Sequence, residues 1–102
     1  MSYPLELVTA IIKPYKLDNV KDALLANGIE GLTIAEVRGF GRQRGKSANF
    51  RGLEYQIGFV PKIKIEIIVP TELLDTVIGI IETAATTGKI GDGKVWATSL
   101  IQ

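Results

Sequence analysis

Residues 57–77 read IGFVPKIKIEIIVPTELLDTV, a strand, a stop and a helix start in one run. Ile63, Ile65 and Ile67 alternate with Lys62, Lys64 and Glu66, the period-2 pattern of a strand with one buried face. Pro70 closes the pattern because it has no N–H to give to a ladder. Thr71 stands where a helix N-cap is expected, and Leu74, Val77, Ile78 and Ile81 then form one apolar stripe at helical spacing. Gly88 is the expected terminator.

The same grammar occurs earlier in the chain. Ile11-Ile12-Lys13-Pro14 followed by Leu17-Asp18-Asn19-Val20 echoes Ile67-Ile68-Val69-Pro70 followed by Leu74-Asp75-Thr76-Val77. Residues 5–12 (LELVTAII) read as the strand of this first unit, and residues 17–27 as its helix, with Gly28 at the C-terminal cap. Residues 32–39 (LTIAEVRG) and 94–101 (KVWATSLI) supply the two remaining strands, the third strand being residues 57–69. The order is β-α-β, loop, β-α-β. Two such halves joined by a hairpin are the α+β, ferredoxin-like βαββαβ arrangement, an antiparallel sheet with both helices on one face. The first and last strands are apolar on both faces. The helix-free face is therefore expected to meet further copies of the chain; a solvent-tolerant open face is the alternative.

Composition narrows the function. At 102 residues the chain is expected to be a single domain spanning 1–102, and 46% hydrophobic residues are enough for a core. A net charge of +1 argues against a general nucleic-acid coat. Cys and His are both absent. Disulfides, thiolate metal sites, the usual general base and most zinc sites are thereby excluded. The N-terminal MSYPLEL has no signal-peptide character, and no apolar run approaches the length of a membrane span, so a cytoplasmic protein is expected.

Two glycine-rich stretches suit anion binding. Gly39-Phe40-Gly41-Arg42-Gln43-Arg44-Gly45 lets backbone N–H groups approach an anion beside two guanidinium groups, although a flexible strand exit with solvated arginines reads this segment alone slightly better. Gly88 to Lys94 nearly spells a phosphate-binding P-loop, but Val95 stands where a Ser or Thr must hold Mg²⁺, and the run precedes a strand rather than a helix. Nucleotide hydrolysis by that mechanism is excluded. A glycine turn bearing Lys89 and Lys94 remains, suited to phosphates or serving as a plain connection. The connection across residues 38–61 is long for so small a domain. It carries Arg42, Arg44, Lys46 and Arg51 against Glu54, with Phe50 and Tyr55 where no core can take them. Aromatic and Arg residues together are the composition of partner-binding surfaces, and Ser47 and Tyr55 are hydroxyls open to modification.

KPYKLDNVKDAL, EVRGFGRQRG, FRGLEYQIGFVPKIKIEIIVP and TGKIGDGKVW together resemble the PII signal-transduction (nitrogen-regulatory) proteins, in order and without gaps from about Ala10 to Trp96. The resemblance implies a ferredoxin-like subunit in a homotrimer, with ATP and ADP competing for inter-subunit clefts. It implies that Ile11, Thr33, Gly41, Arg42, Gln43, Glu66 and Ile68 contribute to the nucleotide site from one subunit, with Gly91, Asp92, Gly93 and Lys94 in the same cleft, holding the phosphates. It implies that Mg-ATP supports 2-oxoglutarate, with Gln43 near the metal and Lys62 near the ligand. The long connection matches the family's T-loop, which docks into ammonium transporters and other targets. Arg51 and Tyr55 lie in its partner-facing part, Tyr55 at the position uridylylated in many bacterial members. Leu53 replaces the serine phosphorylated in some cyanobacterial members, and Ser47-Ala48-Asn49 departs from the common loop pattern.

Family members also carry, beyond the fourth strand, an RxRTGE-like segment whose arginines reach the nucleotide phosphates; the sequence to Gln102 does not include it. Without two such arginines ATP is expected to weaken more than AMP or ADP, by about 1.5–3 kcal/mol per lost charge-assisted bond. The leading expectation is a non-enzymatic sensor in which adenine nucleotide, with or without 2-oxoglutarate, governs binding of a transporter or metabolic enzyme. A carbon-side member that senses ADP or AMP and serves bicarbonate uptake or carboxysome function is the alternative. An enzyme of the same shape is the rival class, disfavoured because no paired carboxylates converge.

Overall fold

The computed structural model describes residues 4–40 and 59–100. Its elements are β1 (Leu5–Ile12), α1 (Leu17–Ala26), β2 (Thr33–Phe40), β3 (Phe59–Pro70), α2 (Leu74–Ala85) and β4 (Gly93–Leu100). The sheet order is β2-β3-β1-β4 with every neighbouring pair antiparallel, which is the expected ferredoxin-like topology. Ile57, Gly58 and Ile101, at the ends of expected strands, lie outside the described residues.

The internal echo in the sequence is also an echo in structure. Each proline stop leads into one three-residue 3₁₀ turn, Pro14–Lys16 before α1, which begins at the proline itself, and Thr71–Leu73 before α2, which Pro70 precedes. That turn displaces the expected cap. Leu73 occupies the N-cap position of α2, and the Thr71 hydroxyl instead donates to Glu6 Oε2 at 3.0 Å, tying the helix entrance to β1. The other expected terminus also moves. The α2 helix ends at Ala85 because Thr86 is already extended, with ψ 141°, and Gly88 serves the following turn. At the end of α1, Ile29 N–H bonds Leu24 O at 2.9 Å and Gly28 N–H bonds Leu25 O at 3.0 Å, with Gly28 at φ +79°. This is the paired closure that a glycine in left-handed conformation permits.

Alternation decides the two faces of the sheet. Val8, Ala10 and Ile12 of β1 and Ile63, Ile65, Ile67 and Val69 of β3 pack with Val20 and Leu24 of α1 and Val77, Ile81 and Ala85 of α2. The opposite face carries Leu7, Thr9 and Ile11 beside Glu66, Ile68 and Trp96 in register. Ile68 is 58% exposed and Trp96 42% exposed there, so this face presents apolar surface to its surroundings. Thr9 is buried nonetheless, in line between Glu66 and Trp96.

Candidate functional site

The connection from α2 to β4 is shaped by its glycines. Gly93 has φ +115°, and a Cβ there would lie 1.9 Å from the Ile11 carbonyl oxygen. Only glycine lets β4 begin pressed against the end of β1. That close approach sets the register in which Lys94 stands opposite Ile11. Beneath the connection lies a crevice of about 320 Å³ between Ile12, Ile81, Ala85 and Val95.

The connection takes its shape from one carboxylate. Asp92 Oδ2 accepts from Thr87 N–H at 2.8 Å, from Gly88 N–H at 2.9 Å and from the Thr86 hydroxyl at 3.3 Å. Oδ1 accepts from the Thr87 hydroxyl and pairs with Lys13 Nζ at 3.2 Å. The Thr87 hydroxyl accepts in turn from Lys89 N–H at 3.2 Å and from Lys13 Nζ at 3.3 Å. The Thr87 side-chain and backbone donors, with Lys13 and Gly88, hold the Asp92 carboxyl well below the usual carboxylate range. It stays ionised at any physiological pH.

A second lysine reaches the same loop from β3. Lys62 Nζ donates to the Gly91 carbonyl at 2.8 Å. Desolvation, reinforced by the charge of Lys13 and opposed by that of Asp92, lowers its ammonium pKa. Lys13, Lys62, the Gly91 carbonyl and the Asp92 carboxylate therefore meet at one end of the sheet, with Lys89 exposed on the same loop and Lys94 exposed at the start of β4.

The remaining residues expected at a site divide between two places. Thr33 is directly opposite Glu66, on the side of the sheet where β2 is the edge strand, and Ile68 lies two residues beyond Glu66 on β3. Gly91, Asp92, Gly93 and Lys94 lie at the other edge, in β4 and the connection before it, with Ile11 on the neighbouring strand. Three strand spacings separate β2 from β4, roughly 14 Å. That width applies to Thr33 and Lys94; Glu66 and Ile68 lie on the inner strand β3, which pairs with β1, where Ile11 stands opposite Lys64. Gly41, Arg42, Gln43, Arg51 and Tyr55 lie outside the described residues.

Sequence reasoning assigned no role to the Lys13 ammonium group, the Thr87 hydroxyl or the pairing of Phe40 with Phe59. Lys13 and Thr87 are 74 positions apart and meet only through the fold, so no spacing rule marks them. The two Phe rings pair at a tilt of 46° across the last β2–β3 rung, with centroids 5.2 Å apart, at the base of the long connection. Among the described residues no group of His, Cys, Asp and Glu could hold a metal ion, and no helix is long and apolar enough to cross a membrane.

Comparison with known proteins gives a consistent picture. The family model described as nitrogen regulatory protein P-II matches residues 5–102. The chain is 52% identical over 96 residues to the nitrogen regulatory protein GlnK of Escherichia coli K12, covering 94% of this chain and 86% of that one. It is equally similar over the same length to nitrogen regulatory protein P-II of Rhizobium etli. Among solved structures it superposes on Arabidopsis thaliana PII bound to citrate with a TM-score of 0.76 at 36% identity, over 94% of this chain and 77% of that one.

Proposed function

Because the chain belongs to the nitrogen regulatory protein P-II family, we propose that it is a non-enzymatic cytoplasmic regulator whose homotrimer binds adenine nucleotide in inter-subunit clefts. One observation supports this reading: Thr33 lies on edge strand β2 and Lys94 on edge strand β4, three strand spacings apart, so adjoining copies can complete a cleft at each edge. The apolar helix-free face supports the assembly, since Ile68 and Trp96 are costly to leave against water. Thr33, Glu66 and Ile68 of one copy take the nucleoside with Gly41, Arg42 and Gln43. Gly91, Gly93 and Lys94 of the next hold the phosphates through backbone amides and an ammonium group.

When Mg²⁺ is bound with ATP it supplies a positive centre for a dicarboxylate such as 2-oxoglutarate. Gln43 would hold the metal and Lys62 would pair with the carboxylate. Lys62 is already close to the phosphate loop, so occupancy of that loop and the position of its ammonium group are coupled. The stretch from residue 41 to 58, the family's T-loop, carries the signal to a transporter or enzyme of nitrogen metabolism. Arg51 contributes charge at that contact and Tyr55 is its modifiable hydroxyl. That the relatives are nitrogen regulatory proteins favours the nitrogen role over a carbon one.

Calorimetry with ATP, ADP and AMP, each with and without Mg²⁺ and 2-oxoglutarate, tests the reading. Binding of at least ATP or ADP at millimolar concentration or below is expected. Absence of heat from all three would sink it. Lys94→Ala is expected to weaken every phosphorylated ligand while the molar mass by light scattering is unchanged.

A further inference from the structure

Asp92 stands in a loop assigned to phosphates, although a carboxylate facing a phosphate repels it. The bonds of Asp92 remove the contradiction. An ionised carboxylate offers about four lone-pair sites. Here five donors converge on it: Thr87 N–H, Gly88 N–H, the hydroxyls of Thr86 and Thr87, and Lys13 Nζ. The Thr87 hydroxyl is equally committed, giving its one proton to Asp92 and accepting from Lys89 N–H and Lys13 Nζ. Lys13 offsets the charge of Asp92, leaving the cationic character of the loop to Lys62, Lys89 and Lys94. The loop borders a crevice of about 320 Å³, and this internal bonding ties residues 86–89 to Asp92 beside it. Its far end is set separately, by Gly93 against the Ile11 carbonyl.

We propose that Asp92 is a positioning residue of the phosphate loop: its carboxylate folds residues 86–89 back toward Lys13, fixing the path on which Gly91, Gly93 and Lys94 meet the ligand, and it does not itself touch the ligand. The proposal rests on the nucleotide reading above. It assigns Asp92 a role distinct from that of its neighbours in the sequence.

The test compares Asp92→Asn, Thr87→Val and Thr87→Ser with the unaltered chain, using amide hydrogen exchange and binding of ATP, inorganic tripolyphosphate and adenosine. Asp92→Asn is expected to accelerate exchange at Thr87 and Gly88 by tenfold or more. It is expected to weaken ATP and tripolyphosphate by about tenfold, the effect of one hydrogen bond, while adenosine is unchanged. Thr87→Val, which leaves the charge in place, gives the same pattern, and Thr87→Ser restores both readouts. Tighter binding of tripolyphosphate by Asp92→Asn overturns the proposal, because it identifies Asp92 as a repelling charge only. A loss seen with Mg-ATP but not with metal-free tripolyphosphate overturns it in favour of a direct metal ligand. Lost amide protection with unchanged affinity also overturns it. If the unaltered chain binds neither ATP nor tripolyphosphate, the nucleotide reading fails, and exchange at Thr87 and Gly88 still reports separately whether Asp92 holds the loop.

Discussion

Lys62 Nζ and the carbonyl oxygen of Gly91 are 2.8 Å apart, a bond that joins β3 to the connection before β4 across 29 positions of sequence. It places an ammonium group at the end of the proposed phosphate loop without committing that group to a carboxylate. Lys62→Met keeps the aliphatic stem and removes the charge. It is expected to change the unfolding free energy by less than about 1 kcal/mol, since the bond is exposed, as read by urea titration. Binding of a dicarboxylate in the presence of Mg-ATP should fall at least tenfold by calorimetry. Because the folded-state pKa of Lys62 lies below 10.5, its contribution to stability rises with pH as that group deprotonates on the alkaline side.

Gly93→Ala should be among the most damaging single changes in the chain. Its φ of +115° is strained for any L side chain, and the added carbon would meet the Ile11 carbonyl oxygen at 1.9 Å. A loss of about 3 kcal/mol or more is expected by urea unfolding. The neighbouring Lys94→Ala, which keeps the backbone path, should cost little by the same measurement.

Ile68→Asp places a charge in the middle of the apolar open face, beside Leu7 in register. Sedimentation equilibrium should show the assembly dissociating to single chains at micromolar concentration. Circular dichroism should retain the helix and strand signals, because Ile68 does not belong to the helix-side core. An unchanged molar mass would show that this face is not what the copies share.

The effect of acid on Asp92 has a definite sign. Its folded-state pKa lies below the ordinary 3.8, so the native chain holds fewer protons than the unfolded chain in the interval beneath that value. Stability from this group is complete above about pH 4 and is lost as pH falls toward the folded-state value. The stability difference between the unaltered chain and Asp92→Asn should therefore be flat from pH 7 to about pH 4 and shrink below it. Denaturant titrations across that range measure it. A difference that begins to shrink near pH 6 would point to another group.

Period and punctuation made most of the fold legible. The Ile63, Ile65 and Ile67 alternation fixes which face of β3 meets the helices, and antiparallel pairing passes that choice to β1 and β2. Element ends were less legible. Thr71 has the chemistry of a helix cap, yet Pro70 starts a 3₁₀ turn first, and Glu6, 65 positions away, takes the hydroxyl. Gly88 looks like a helix terminator, but Thr86 turns to an extended backbone before the chain reaches it. At the site, glycines and lysines advertise an anion loop in the sequence from Gly88 to Lys94. The bonds that shape the loop join Lys13 to Thr87 and Asp92, and Lys62 to Gly91. Those pairs are made by strand order alone, and no local pattern encodes them.

The placement of Thr33 and Glu66 on one side of the sheet and of Gly93 and Lys94 on the other has a genetic consequence. In the proposed ring each pocket draws one half from each of two adjoining copies, so lesions in the two halves belong to different complementation groups. A chain disabled at Glu66 and another disabled at Lys94 would each form a blind homotrimer. Co-expressed, they would rebuild one intact pocket in every mixed ring, wherever the sound half of one chain adjoins the sound half of the other. Partial recovery of nucleotide binding from two inactive alleles is thus a property written into the strand order.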